Sequence, residues 1–161
     1  MAGSLPPSWS GKESCRPVKM PEKPFDSQSL PTRVVIPSDL AAARKVEDQV
    51  LKETELLGYS PECTFAIRLS LEEAIVNAHQ HGNGCDPTKT IAVAYRVTPQ
   101  RVVICVRDQG EGFDPSLIPD PTAPDRLALP DGRGLMLMRS YLDKVSFNER
   151  GNEVQLFKER S

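Results

Sequence analysis

Ser70-Leu71-Glu72-Glu73-Ala74-Ile75-Val76-Asn77-Ala78-His79-Gln80-His81-Gly82 sets polar groups along one stripe of a stretch that otherwise reads as an apolar helix. Ser70, Glu73, Asn77 and His81 follow one another at spacings of 3, 4 and 4, so they stand above one another on a single helical face. Groups of that kind need partners. Left buried and unpaired, each costs on the order of 1 to 3 kcal/mol, and the charged one costs more. The helix opens at Ser60-Pro61-Glu62, a cap, a proline at the first position and an acid near the positive end of the dipole. It is expected to run to Gly82 and to bury Phe65, Leu69, Ile75 and Ala78 in part.

Upstream, Arg33-Val34-Val35-Ile36 reads as an edge strand. Ser38 is expected to cap a first helix with Asp39 in its first turn, its apolar positions being Leu40, Ala43, Val46, Val50 and Leu57 and its stop Gly58. Downstream, Ile91, Val93, Tyr95 and Val97 alternate with Ala92, Ala94 and Arg96 to form a strand. A Thr98-Pro99-Gln100 turn leads from it into Val102-Val103-Ile104-Cys105-Val106, which is apolar on both faces as a central strand is. That strand delivers Asp108 into the turn Asp108-Gln109-Gly110-Glu111-Gly112. Residues 113–131 carry Pro115, Pro119, Pro121, Pro124 and Pro130 without apolar period, and are expected to form a long loop. A helix from about Gly134 to Leu142 and a hairpin, Val145 to Phe147 and Val154 to Phe157 around Arg150-Gly151-Asn152, complete the pattern. The sum is an α/β two-layer sandwich, its sheet mixed or mostly antiparallel, with helices on one face.

A chain of 161 residues, 39% of them hydrophobic, can bury a single core. Pro6, Pro7, Pro17, Pro21, Pro24, Pro31 and Pro37 crowd the start among Ser, Lys and Glu, so residues 1–30 are expected to be a flexible tail and 31–161 the folded domain. A net charge of −2 provides no basic field for nucleic acid. No apolar run is long enough to span a membrane and no signal peptide is legible, which gives a cytoplasmic reading without a membrane partner. Cys15, Cys63, Cys85 and Cys105 form no C-x-x-C pair, and the two histidines are His79 and His81. Zinc and a disulfide framework are both disfavoured.

The stripe suits one chemistry well. Mg²⁺ takes oxygen ligands and keeps several waters, so the Asn77 amide oxygen together with phosphate oxygens is a sufficient ligand set. A carboxylate one turn away, Glu73, can orient a hydroxyl or water and accept its proton as a γ-phosphate is attacked. Asp108, at the end of a buried strand, can accept the exocyclic amine of adenine, with Gly110 and Gly112 letting the chain pass close to a flat base. Gly132 and Gly134, leading into a helix, offer amides and a positive dipole end to phosphates. Arg126 and Arg133 stand where they could reach the γ-phosphate. The order of these elements points to ATP with Mg²⁺. The signature G-x-x-x-x-G-K-[ST] occurs nowhere, which excludes a P-loop enzyme.

Leu71 to Ala78 through His81-Gly82, with Arg107-Asp108-Gln109-Gly110-Glu111-Gly112-Phe113 and Gly132-Arg133-Gly134-Leu135, resembles the GHKL ATPases of the Bergerat fold. Within that superfamily the chain is most similar to the anti-sigma factor serine/threonine kinases of bacteria, over about residues 33–159. The resemblance implies Glu73 as catalytic base, Asn77 as the Mg²⁺ ligand and Asp108 as the adenine acceptor. It makes residues 113–131 a lid over ATP and lets Gly132 and Gly134 hold phosphate, while His81, Gly110, Gly112, Phe113, Arg126, Arg133 and Leu135 complete the nucleotide pocket. Where family members often carry Gly-Thr before the last strand, this chain has Gly151-Asn152, whose amide can also hydrogen-bond.

The same likeness implies phosphoryl transfer to a small anti-anti-sigma-like protein, a sigma factor in an alternative complex, and a homodimer. A chain of this length has no room for the helical pair of a sensor histidine kinase or the further domain of gyrase-like ATPases, so the acceptor is expected to come from outside. An ATP-dependent module that sequesters a partner without phosphotransfer is the alternative, and a nucleotide-free interaction domain with decayed motifs ranks third.

Overall fold

The computed structural model describes residues 27–112 and 130–160. Five strands form one sheet: β1 (Thr32–Pro37), β2 (Thr90–Val97), β3 (Arg101–Arg107), β4 (Lys144–Phe147) and β5 (Glu153–Glu159), in the order β1-β2-β3-β5-β4. Every neighbouring pair is antiparallel, so the sheet is not mixed. Strand β1 is at one edge, as its short apolar run predicts, and β3 is central.

The central position explains why β3 is apolar on both sides. Val102, Ile104 and Val106 face the helices with Ile91, Val93, Tyr95, Val154 and Leu156, while Val103 and Cys105 face the opposite side with Ala94 and Phe157. Leu30 covers that second cluster and is itself 6% exposed. The remainder of the tail expected over 1–30 lies outside the described residues, apart from a short 3₁₀ turn at Ser27–Ser29.

Three helices pack on the sheet: α1 (Leu40–Leu56), α2 (Pro61–Asn77) and α3 (Pro130–Tyr141). The cap of α1 is Asp39, not Ser38; its carboxylate accepts the Ala41 N–H at 2.8 Å. Aspartate caps as well as serine does, and Ser38 is drawn instead into buried contacts beside α2. Ala43, Val46 and Val50 are buried as their spacing requires, but Leu40 is exposed and the buried row continues through Leu51 and Thr54. Gly58, at φ +78°, ends the helix.

Helix α2 starts as the sequence indicates, with Ser60 accepting the Cys63 N–H at 3.1 Å and Pro61 in the first turn. Ile75 and Ala78 are buried and Leu69 half-buried as expected, with Cys63, Ala66, Ile67, Leu71 and Ala74 also inward, whereas Phe65 is 53% exposed. Phe65 instead meets Tyr141 of α3 edge to face, with ring centroids 5.9 Å apart. The α-helix stops at Asn77, and a turn of π-helix, Ala78–Gly82, completes the segment.

Helix α3 begins at Pro130, four residues before the expected start, so Pro130 and Asp131 belong to a helix and not to the long loop. Proline is well suited to a first helical turn because its missing N–H has no partner there in any case. Residues 113–129, which hold most of that loop, lie outside the described residues.

Tyr59 ties the end of α1 to the β2–β3 turn, its hydroxyl donating to the Thr98 carbonyl at 2.6 Å. Burial pushes this phenol up to about 12. The unfolded chain releases the proton near its ordinary value of about 10 while the folded chain retains it, so the unfolded state binds fewer protons between the two values. The tyrosine's contribution is therefore complete below about pH 10 and is lost as pH rises through about 12. Tyr59→Phe is expected to cost about 1 kcal/mol at neutral pH. It should also remove part of the alkaline decline, which melting curves from pH 8 to 12 would show as convergence of the two proteins; parallel curves would refute the assignment.

Candidate functional site

The candidate residues gather where α2 and its π turn pack against the end of β3 and against α3. Glu73 and Asn77 stand one turn apart on α2 and are both half-buried. Helix α3 crosses them at Gly134, where a Cβ would lie 2.9 Å from Glu73 Oε2 and 3.3 Å from Asn77 Nδ2. A Cβ there would have to displace the Glu73 carboxylate. Ser70, the next stripe member inward, is 1% exposed, and its hydroxyl has no hydrogen-bond partner among the described residues.

Both histidines lie in the π turn, where His81 is exposed and His79 half-buried. His79 Nδ1 lies 2.8 Å from Ser38 Oγ.

Asp108 follows β3 directly and packs against Gly82 of the π turn. Its backbone N–H donates to the Asn152 carbonyl at 2.9 Å, and its Oδ1 accepts the Gly110 N–H at 2.8 Å. Burial pushes the Asp108 carboxyl up, opposed by the Gly110 N–H and by the charge of Lys89. Two glycines hold this carboxylate by contact: a Cβ on Gly82 would overlap Asp108 Oδ2, and one on Gly110 would overlap the Gly82 carbonyl. The end of α2 and the turn after β3 thus touch backbone to backbone. With Oδ1 engaged by Gly110, Oδ2 is the oxygen left to a ligand amine.

Gly112 (φ +82°) lies against the Arg150 carbonyl in the β4–β5 turn. Asn148 organises that turn, its Oδ1 accepting the N–H groups of Gly151, Asn152 and Glu153. The Asn152 amide is engaged at 2.8 Å by Asn148 Nδ2. Its backbone carbonyl, not its side chain, supports Asp108.

Among the glycines ahead of α3 in the sequence reading, both lie within the helix. Gly132 is third in the helix, so its N–H belongs to the first turn, whose donors have no intrahelical acceptor and suit an anion. Gly134 lies one step beyond that set; its part is the close approach to Glu73 and Asn77. Phe113 and Arg126 fall outside the described residues, and nothing of the Arg133 and Leu135 side chains belongs to the described structure.

Asn83 had drawn no attention in the sequence. It follows the π turn, is 2% exposed and bonds three separate segments. Its only sequence signal was its place directly after Gly82.

The residues present fit a hydrated magnesium ion with a triphosphate. Among the described residues no three His, Cys, Asp or Glu side chains gather into a metal cage. A single amide oxygen beside a carboxylate matches an ion that draws its other ligands from phosphate and water. The glycine contacts around Asp108 leave no Cβ on the side where a flat base would enter.

Comparison with known proteins shows the family and the fold. The family model described as "Histidine kinase-like ATPase domain" matches residues 36–158. A serine-protein kinase RsbW of Bacillus licheniformis is 33% identical over 97 residues, covering 55% of this chain and 59% of that protein. The RsbW of Oceanobacillus iheyensis is 27% identical over 100 residues (58% and 63%), and the serine/threonine-protein kinase BtrW of Bordetella bronchiseptica 29% identical over 94 (57% and 66%). The chain thus spans about three-fifths of the length of the curated relatives it matches. A crystal structure of the RsbU and RsbW domains of a Mycobacterium tuberculosis protein superposes with a TM-score of 0.52 at 20% identity, covering 80% of this chain and 32% of that one. At that identity the likeness is one of fold. Among the described residues no helix is long and apolar enough to cross a membrane.

Proposed function

Since the chain belongs to the histidine kinase-like ATPase domain family, we propose that it binds Mg-ATP and passes the γ-phosphoryl group to a serine or threonine hydroxyl of a small anti-anti-sigma-like protein. A sigma factor, held in an alternative complex, is the regulated partner in this reading. The observation that carries it is the meeting of Glu73, Asn77 and Gly134 where α3 crosses α2, with the Asp108 carboxylate packed on Gly82 of the π turn that follows Asn77.

Glu73 orients the acceptor hydroxyl and takes its proton. As the hydroxyl oxygen forms its bond to the γ-phosphorus, the bond from that phosphorus to the β–γ bridging oxygen breaks and ADP leaves with the electron pair. Asn77 would hold Mg²⁺ through its amide oxygen, and the ion would supply neutralisation of phosphate charge. Asp108 Oδ2 accepts the adenine amine, and the first-turn N–H groups of α3 receive phosphate oxygens. Serine and threonine kinase names among the relatives support the transfer chemistry.

The test is incubation of the full chain with Mg-ATP and candidate proteins encoded beside it, read by intact mass. Addition of one phosphoryl group to a serine or threonine of such a protein is the expected result. Tight nucleotide binding with no phosphorylated product from any of them would instead identify a module that sequesters its partner without transfer.

A further inference from the structure

We infer that Asn83 is the positioning residue that sets nucleotide-base selectivity, by fixing the peptide that follows Asp108. The inference deepens the ATP reading above and rests on it.

The side-chain amide of Asn83 is buried and almost fully used. Its Nδ2 donates to Ser38 Oγ at 3.1 Å and to the Thr90 carbonyl at 3.0 Å, and its Oδ1 accepts the Gln109 N–H at 2.8 Å. These partners belong to three segments: the step from β1 to α1, the start of β2 and the turn after β3. Gln109 is held a second time by its own side chain, whose Oε1 accepts the Thr90 N–H at 2.7 Å. The peptide between Asp108 and Gln109 is therefore clamped by groups that touch no part of the expected nucleotide.

The consequence falls on Asp108. Its carboxylate is aimed by its own backbone orientation, and that is bounded by the Asp108 N–H bond to Asn152 on one side and the Gln109 N–H bond to Asn83 on the other. Ser38 steadies the amide in turn: its Oγ takes the Asn83 donor and lies 2.8 Å from His79 Nδ1, so α1's entry and the π turn are locked to the same point. Without the Asn83 acceptor, the part-buried Gln109 N–H loses the partner that holds it, and the turn is free to take another arrangement. Asp108 then no longer presents Oδ2 at a fixed place to the adenine amine.

The readout is selectivity, which general loosening of the fold would not move. ADP offers a 6-amine to Asp108, while purine riboside diphosphate has only hydrogen at C6 and keeps N1 an acceptor as adenine does. Calorimetric affinities for both with Mg²⁺ present are compared in the full chain and in Asn83→Ala, with melting curves to confirm folding. Expected is a loss of about tenfold in ADP affinity with little change for purine riboside diphosphate, the size of one well-made hydrogen bond to a charged group. Ser38→Ala, which leaves the Gln109 bond in place but frees one anchor, should lower the ratio about threefold, and it decides the matter should Asn83→Ala fail to fold. An ADP preference unchanged in the folded variants overturns this inference alone. Absence of ADP binding by the unaltered chain overturns the ATP reading, and this inference falls with it.

Discussion

Glu73→Gln is expected to lower phosphoryl transfer about 10²- to 10⁴-fold, the usual contribution of a positioned general base, while Mg-ATP affinity stays close to that of the unaltered chain. The substitution keeps the shape and length of the side chain, so the approach of Gly134 to the Glu73 oxygen survives in form. What it removes is the basic lone pair. A glutamine amide can still orient a hydroxyl but cannot take its proton, and only the transition state notices the difference. Two measurements separate the cases: intact mass of the acceptor protein against time, and calorimetric titration with a non-hydrolysable ATP analogue. Transfer at a rate within a few-fold of the original would remove Glu73 from the base role. Loss of nucleotide affinity in parallel with transfer would make it a structural member of the α2–α3 contact instead.

Local signals in the sequence translated well into structure. Ser60-Pro61 fixed the start of α2 because a cap and a first-turn proline act within a few residues of one another. The doubly apolar run of β3 revealed its central place because both faces of a central strand are covered. Where contrast was lacking, the reading slipped. Phe65 and Ile67 are both apolar and two positions apart, so nothing in the residues themselves said which would turn inward. The start of α3 was placed late because Gly132 and Gly134 are weak helix formers, and their tolerance in the helix comes from what α3 packs against.

The site divides along the same line. Glu73, Asn77 and Asp108 were legible as chemistry-bearing residues, since a stripe and a strand end are short-range patterns. The clamp at Asn83 was not: its partners Ser38 and Gln109 lie 45 and 26 residues away along the chain, and a buried asparagine carries no period or motif to announce it. The π turn was equally hidden, and from it His79 reaches Ser38.

Gly82→Ala should disable base recognition without touching Asp108 itself. The added methyl would occupy the space of Asp108 Oδ2, and the carboxylate must swing away or the π turn must shift. Neither response is cheap. Overpacking of this kind costs typically about 1 to 3 kcal/mol in stability. The displaced oxygen also forfeits its hydrogen bond to the adenine amine, roughly 1.5 to 3 kcal/mol for a bond to a charged group, or on the order of 10- to 100-fold in affinity. Gly84→Ala is the matched control two residues on. Gly84 has φ +61° and open space where a Cβ would go, so alanine there meets backbone strain alone, about 1 to 2 kcal/mol, and leaves the Asp108 contact undisturbed. Calorimetry with ADP should therefore show weak binding in Gly82→Ala and normal binding in Gly84→Ala, although melting curves place both below the unaltered chain. Equal ADP affinity in the two variants would mean that the contact between the end of α2 and the Asp108 carboxylate has no part in holding the base.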